Sequence, residues 1–105
     1  MPKKYRLTGH EIRKLSGKRF HGRFFSLLVA PIGGAHAKCA IVVSKKAAAK
    51  AVDRNKVKRR ARNALAKRLP DVKKPIALVF YAKRETKGAA FSDIERDIDA
   101  LLARA

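Results

Sequence analysis

The sequence predicts an α+β fold, in which helices and a sheet form a two-layer α/β sandwich. Segments of helical periodicity alternate with apolar runs rich in β-branched and aromatic residues, in the order helix, strands, helix, strand, helix. The chain has 105 residues, of which 47% are hydrophobic, and this suffices for one buried core. We therefore predict a single domain over residues 1–105, with two layers of secondary structure packed on each other.

The first half of the chain predicts one short helix followed by strands. Tyr5–Leu15 has weak helical periodicity, and Gly17 is expected to end it. Arg19–Ala30 is rich in aromatic and branched residues and predicts a strand, with Gly22 as a point where it can break. Lys38–Ser44 predicts a second, well-buried strand.

The second half predicts a long helix and a central strand. The helix covers Arg54–Leu69, with Asp53 as its N-cap and Pro70 as the residue that stops it. Its apolar residues form one stripe at helical spacing: Val57, Ala61, Ala64, Leu65 and Leu69. Pro75–Ala82 is a continuous apolar run, which is typical of a strand buried on both faces.

A final helix is predicted over Phe91–Ala103, where Ser92 and Glu95 form a capping-box pattern. We interpret the acidic residues of this segment as complements of the helix dipole rather than as a metal cluster: Asp93, Glu95, Asp97 and Asp99. The three histidines are scattered, with no Cys or carboxylate at ligand spacing: His10, His21 and His36. The sequence therefore predicts no metal site in the protein.

The charge of the chain indicates a polyanionic partner. It carries 27 Lys and Arg against 8 Asp and Glu, a formal net charge of +19. A membrane is the weaker candidate, because the longest apolar stretch, Phe24–Ile32, is about half of a bilayer span and no signal peptide is evident. The single cysteine, Cys39, excludes an internal disulfide and fits a reducing compartment, so we expect a cytoplasmic protein.

The positive charge is concentrated around the long helix. Lys45–Arg68 holds 11 Lys and Arg and one acid, Asp53, so acids that could pair with this surface are nearly absent. Like charges along one flank, at Arg54, Lys58 and Arg62, reduce helix stability, which favours a surface made to meet phosphates. An ordinary solvated basic face is the alternative.

The same segment resembles the signature of a known family. Val43–Leu65, VSKKAAAKAVDRNKVKRRARNAL, is similar to the bacterial ribonuclease P protein, in which a strand ending in V-S-K-K precedes A-V-x-R-N-R and K-R-x-x-R on a helix. Three further segments extend the resemblance across the chain: Tyr5-Arg6-Leu7, Arg23-Phe24-Phe25 and Phe91–Leu102. Lys56 departs from the family pattern, because it stands in the third R-N-R position.

The resemblance implies a fold and a partner. It implies a four-stranded sheet with three helices in the order αβββαβα and a left-handed crossover, similar to some ribosomal-protein and translation-factor domains. It also implies a protein subunit without catalytic residues, since the RNA subunit cleaves precursor tRNA and holds the Mg²⁺ ions. The implied partners are the catalytic RNA and precursor tRNA, with no membrane and no small-molecule substrate.

The resemblance also implies two sets of binding residues. The set for the catalytic RNA is Lys45, Lys46, Arg54, Asn55, Lys56, Lys58, Arg59 and Arg62. A cleft between the first helix and the sheet would take the 5′ leader of precursor tRNA, with the candidates Ile12, Phe20, Phe24, Ser26 and Leu28. Alternation along a strand places Phe24, Ser26 and Leu28 on one face. For Phe20 and Phe24, ordinary core packing is an equally good interpretation.

Two other functions are weighed against this one. A ribosomal protein would have the same charge and a related fold, but it leaves the ordered VSKK…AVDRNKVKRRAR pattern unexplained. A DNA-binding module is weaker, because the basic helix lacks a partner helix and turn.

Overall fold

The computed structural model describes residues 3–105 and contains the predicted order αβββαβα. The elements are α1 (Gly9–Arg13), β1 (Lys18–His21), β2 (Phe25–Pro31), β3 (Lys38–Val42), α2 (Ala51–Arg68), β4 (Ile76–Ala82) and α3 (Phe91–Arg104). Short 3₁₀ turns lie at Lys3–Tyr5, Leu69–Asp71 and Arg84–Thr86. The predicted strand over residues 19–30 is a hairpin of two strands, since the chain bends between His21 and Phe25.

One mixed sheet of four strands, in the order β1-β2-β4-β3, organises the fold. The pairs β1–β2 and β2–β4 are antiparallel, whereas β3 and β4 are parallel. A parallel pair needs a long crossover, and α2 forms it. The left hand of this crossover stays a prediction.

The two faces of the sheet are covered unequally. On the core face, Phe25 and Leu27 of β2 and Phe80 of β4 are fully buried among residues of α2 and α3. On the opposite face, Leu28 and Val79 pack with residues of the N-terminal segment. We call this second side the α1 face. Within residues 3–105, this face is covered mainly by the five-residue α1 and by the chain on either side of it, including Leu7 and Leu15, and Tyr81 remains partly exposed.

α1 is shorter than predicted and begins with a capping box that the sequence analysis did not identify. The Thr8 hydroxyl accepts a hydrogen bond from the Glu11 N–H at 3.1 Å, and the Glu11 carboxylate accepts one from the Thr8 N–H at 3.0 Å. The Thr8 backbone N–H, together with Lys38, lowers the pKa of Glu11. These contacts fix the start of a helix that is too short to persist alone.

The starts of the two longer helices correct the predicted caps. α2 begins at Ala51 with Lys50 as its N-cap, and Asp53 lies in its first turn instead of capping it. Lys50 makes no side-chain cap hydrogen bond, and the Ala-rich segment continues into the helix because alanine favours helical backbone. The capping box predicted at α3 is wrong. Ala90 is the N-cap, so Ser92 is already inside the helix.

An ion pair joins the end of α2 to the middle of α3. The Arg68 guanidinium binds the carboxylates of Asp99 and Glu95, and its Nη1 also donates to the Ala64 carbonyl at 2.6 Å. This contact lowers the pKa of Asp99, chiefly through the hydrogen bond from Arg68. Dipole complementarity therefore does not account for these two acids, which join one helix to the other.

Asp97 performs a different structural task, at the connection between β1 and β2. Its buried carboxylate accepts hydrogen bonds from three consecutive backbone N–H groups, those of Arg23 at 2.9 Å, Phe24 at 3.0 Å and Phe25 at 2.9 Å. A Cβ on Gly22 would lie 2.6 Å from Asp97 Oδ1, so only glycine allows this approach. Asp97 thereby fixes α3 to the hairpin of the sheet.

None of the helices in residues 3–105 is long and apolar enough to cross a membrane.

Asp97→Asn should destabilise the protein by about 2–4 kcal/mol, because charge-assisted hydrogen bonds are worth about 1.5–3 kcal/mol each and the amide N–H₂ would face a backbone N–H. Urea unfolding followed by circular dichroism measures this change. Asp93→Asn, in the first turn of α3, is the matched control and should cost about 1 kcal/mol or less. Equal losses in the two variants would contradict the role given to Asp97.

Candidate nucleic-acid interface

α2 presents a basic surface because its apolar side is fully used by the core. Val57, Ala61, Ala64 and Leu65 are buried against the sheet and α3, which confirms the predicted stripe. The remaining positions face solvent and are mostly Lys, Arg and Asn. The fold therefore fixes which side of this helix faces outward.

Some cations of this region already have partners within the protein. Arg54 Nη1 donates to the carbonyls of Ala48 at 3.0 Å and Ala49 at 2.8 Å, so this guanidinium orders the segment before α2. Arg60 Nη1 donates to the Ala89 carbonyl at 2.8 Å. These two arginines contribute charge, but their positions are set by contacts to the backbone.

Other cations are left without an internal partner. Within residues 3–105, the side chains of Lys58, Arg59 and Arg62 form neither ion pairs nor hydrogen bonds. They line one polar groove of about 400 Å³, whose lining contains no acid: Arg6, Asn55, Lys58, Arg59, Arg62 and Asn63. Unpaired cations held side by side in a groove form a natural site for phosphate groups.

The structure does not place the whole predicted RNA-binding set in this groove. Asn55, Lys58, Arg59 and Arg62 lie in it, while Lys56 lies on the other flank of α2. Lys45 and Lys46 are exposed in the turn that follows β3.

Arg6 is a member of the groove that the sequence analysis did not select. The N-terminal segment forms a parallel bridge between Arg6 and Cys39, and the Leu7 N–H donates to the Cys39 carbonyl at 2.9 Å. This pairing brings Arg6 beside Arg62. Both arginines also border a smaller pocket that reaches Ile12 and Ala40. The basic groove of α2 is thus continuous with the edge of the α1 face.

A second cluster lies on the open part of the α1 face, around Tyr81 of β4. The strand register places Tyr81 beside Ser26, and Ser26 beside His21. The Arg19 guanidinium lies 4.9 Å from the centre of the Tyr81 ring, and His21 Nδ1 lies 3.0 Å from Ser26 Oγ. We call these four residues the Tyr81 cluster. It combines an aromatic ring, a cation and two hydrogen-bonding groups on a half-covered surface.

The predicted leader cleft is brought together only in part. Ile12, Ser26 and Leu28 belong to the α1 face, as the prediction requires. Phe20 does not, because it pairs with Leu27 and so shares the core face, where the Arg104 guanidinium lies 5.3 Å from its ring.

Phe24 also lies away from the α1 face. It lies in the bend before β2 and packs in the core, with 8% of its surface exposed. The alternation used in the sequence analysis begins only at Phe25, where the extended strand begins, so Phe24 does not share a face with Ser26.

Cys39 is buried beneath this region of the molecule. Burial raises the pKa of its thiol from 9.0 to about 12, and the positive charge of Arg62 acts in the opposite direction. Within residues 3–105, no group of three or more His, Cys, Asp and Glu side chains is placed to hold a metal ion.

Comparison with known proteins identifies the family. The sequence model of the ribonuclease P family matches residues 1–105, the whole chain. This chain belongs to the ribonuclease P protein family. The ribonuclease P protein component of a Picosynechococcus species is 30% identical over 108 residues, covering 100% of this chain and 93% of that protein. Family membership implies an RNA-binding role in tRNA processing.

Solved ribonuclease P proteins share the fold. A mutant of the Staphylococcus aureus RNase P protein with defective mRNA degradation activity has a TM-score of 0.86 and 23% identity, covering 96% of this chain and 87% of that chain. The RNase P protein from Thermotoga maritima has a TM-score of 0.81 and 23% identity, covering 95% of this chain and 96% of that one. The mixed four-stranded sheet with three helices is therefore the fold of the ribonuclease P protein.

Cys39 should resist alkylation in the native protein at pH 8, because the buried thiol stays protonated far above its ordinary pKa of 9.0. Because the thiol has a higher pKa in the folded protein than in the unfolded chain, its contribution to the free energy of unfolding is complete below pH 9. This contribution declines as the pH rises toward 12. Iodoacetamide labelling with and without urea, followed by mass spectrometry, measures the protection. Equal labelling rates under both conditions would contradict it, and a Cys39→Ala variant identifies the labelled site.

Proposed function

We propose that this chain is the protein subunit of a cytoplasmic ribonuclease P. It binds the catalytic RNA through α2 and the preceding lysines, and it binds the 5′ leader of precursor tRNA on the α1 face. In this way it assists the RNA-catalysed, metal-dependent endonucleolytic cut that produces the mature 5′ end of tRNA.

The observation that carries this proposal is the groove of unpaired cations on α2. A protein that needed these side chains for its own stability would pair them, as it does Arg68 with Asp99 and Glu95. Lys58, Arg59 and Arg62 instead repel one another across a groove that contains no acid. Binding RNA phosphates would relieve this repulsion and release counterions, which favours association.

The Tyr81 cluster is the part of the α1 face best suited to a single-stranded leader. Unpaired bases stack on aromatic rings without a strong sequence preference, and a guanidinium can bind the adjacent phosphate. The ring of Tyr81 is half-buried in the sheet, so its orientation is fixed before a base arrives. Ile12 and Leu28 continue the apolar surface beside it.

Bond cleavage is assigned to the RNA subunit in this proposal. Mg²⁺ held mainly by the RNA would supply the activated water and stabilise the charge of the leaving group. The residues of this chain bind phosphates and orient the leader. Their positive charge reduces the electrostatic repulsion between two RNA molecules, so the effect of the protein should be largest when Mg²⁺ is scarce.

Arg59→Ala/Arg62→Ala should abolish most of the stimulation of precursor tRNA cleavage at low Mg²⁺, and it should reduce the log–log salt slope of RNA binding by about 1.4–1.8, the contribution of two phosphate contacts. The assay compares cleavage by ribonuclease P RNA with and without the protein. These arginines are preferred to Arg54, which orders the backbone before α2. Lys73→Ala/Lys74→Ala removes the same charge from the exposed loop before β4 and is the matched control.

Two outcomes of this experiment would contradict the proposed function of the groove. Loss of stimulation to the same extent in both double variants would mean that net charge, rather than the groove, is responsible. Tight and salt-sensitive RNA binding by the wild-type protein without any stimulation of cleavage would favour a purely structural RNA-binding protein.

Tyr81→Ala should weaken holoenzyme binding of precursor tRNA by about 5–150-fold, since stacking of a base on an aromatic ring is worth about 1–3 kcal/mol. Mature tRNA, which has no leader, should bind equally well to both proteins. Tyr81→Phe keeps the ring and should retain most of the affinity. An equal loss for precursor and mature tRNA would show that Tyr81 does not contact the leader.

A further inference from the structure

A second, separate pocket lies on the opposite flank of α2. It has a volume of about 210 Å³ and is bordered by the loop between β4 and α3. Lys56 and Arg60 of α2 and Lys87 of the loop bring three cations to it, while Thr86 and Gly88 form part of its wall. Lys56 and Arg60 stand two residues before Lys58 and Arg62, which is about 200° around the helix axis. The two basic flanks therefore face in different directions.

Several hydrogen bonds hold the loop against the rest of the protein. The fully buried Thr86 hydroxyl donates to the Lys83 carbonyl at 2.6 Å, and Lys83 Nζ donates to the Gly22 carbonyl at 2.5 Å. Arg84 Nε donates to the Lys46 carbonyl at 3.2 Å, so the loop is also joined to the turn that carries the lysine pair. A ligand of this pocket would find its wall already ordered, which reduces the entropic cost of binding.

The charges in the pocket are available to an anion. Arg60 Nη1 donates a hydrogen bond to the Ala89 carbonyl, and this holds the guanidinium at the pocket. The other N–H groups of the guanidinium can donate to a ligand. Asp53 is the one carboxylate in the lining, and its oxygen lies 3.8 Å from Lys87 Nζ. A contact of this length between partly exposed groups is weak, so a phosphate can compete for the Lys87 ammonium.

We propose that this pocket is a second phosphate-binding subsite, in which Lys56, Arg60 and Lys87 hold a phosphodiester of the bound RNA. The inference rests on the function proposed above and adds a residue outside α2 to the interface. The groove and the pocket lie on different flanks of α2, and a helix is about 10–12 Å wide. The bound RNA would therefore contact both flanks, with one stretch of the RNA backbone in the groove and another in the pocket. Asn55 and Arg59, which line the groove, lie on the side of it that is nearer to the pocket.

Lys87→Ala tests the pocket without a substitution in α2. Its log–log salt slope for binding to ribonuclease P RNA should fall by about 0.7–0.9, the contribution of one phosphate contact. Lys73→Ala removes an equal charge from the loop before β4 and should leave the slope nearly unchanged. The Asp53–Lys87 contact is a surface pair, so the variant should fold normally, and circular dichroism checks this.

A photo-crosslinker gives an independent measurement of the same contact. Cys39 is 1% exposed, so a thiol reagent attached to a Lys87→Cys variant reports from the pocket alone. We expect efficient crosslinking to ribonuclease P RNA from position 87 and little from a Lys73→Cys variant. Equal crosslinking at both positions, or an unchanged salt slope in Lys87→Ala, would overturn the second subsite.

The outcomes also separate this inference from the proposed function. If wild-type protein binds the RNA and stimulates cleavage while Lys87→Ala matches Lys73→Ala, only the pocket proposal fails. If the wild-type protein neither binds the RNA in a salt-dependent way nor stimulates cleavage, the proposed function itself fails. Combining Lys87→Ala with Arg62→Ala should give additive losses of binding free energy, as expected for two separate contacts.

Discussion

Self-repulsion among 27 Lys and Arg side chains is the constraint under which this fold forms, because only 8 acids oppose them. The protein uses most of those acids at internal joints. Within residues 3–105, five carboxylates contact other elements or cap backbone groups: Glu11, Asp53, Glu95, Asp97 and Asp99. Each contact joins parts of the chain that the excess positive charge would separate. The groove on α2 is left without acids, and this makes it basic.

The sequence predicted the elements that depend on periodicity. The stripe from Val57 to Leu69 is buried as expected, and the resemblance implied the correct number of strands and helices. Helix starts were less predictable, since capping depends on where the backbone turns. Thr8 with Glu11 forms a capping box, whereas Ser92 with Glu95 shows the same pattern but lies two residues after the N-cap, Ala90. A local motif alone does not reveal its position relative to the first helical residue.

The part of the candidate site that lies on α2 could be predicted from the sequence. The part that lies on the sheet was less predictable. Arg59 and Arg62 follow from a local pattern, but Arg6 joins them only through a pairing with Cys39 that is distant in sequence. Tyr81 was missed because the run Pro75–Ala82 is apolar throughout, as expected for a strand covered on both sides. The short α1 leaves one end of that strand accessible. Only the tertiary arrangement distinguishes this tyrosine from a core residue.

The strand order β1-β2-β4-β3 has a consequence for how the chain folds as it is synthesised. β4 lies between β2 and β3 but is made after both, so each of them has an unpaired edge until residues 76–82 emerge. The final helix then brings Asp97 to the hairpin and completes the domain. Contacts between distant segments form slowly, so the nascent chain has a period in which hydrophobic strand edges are exposed to aggregation. The basic helix is made before β4, and its charge keeps these incomplete chains apart during that period.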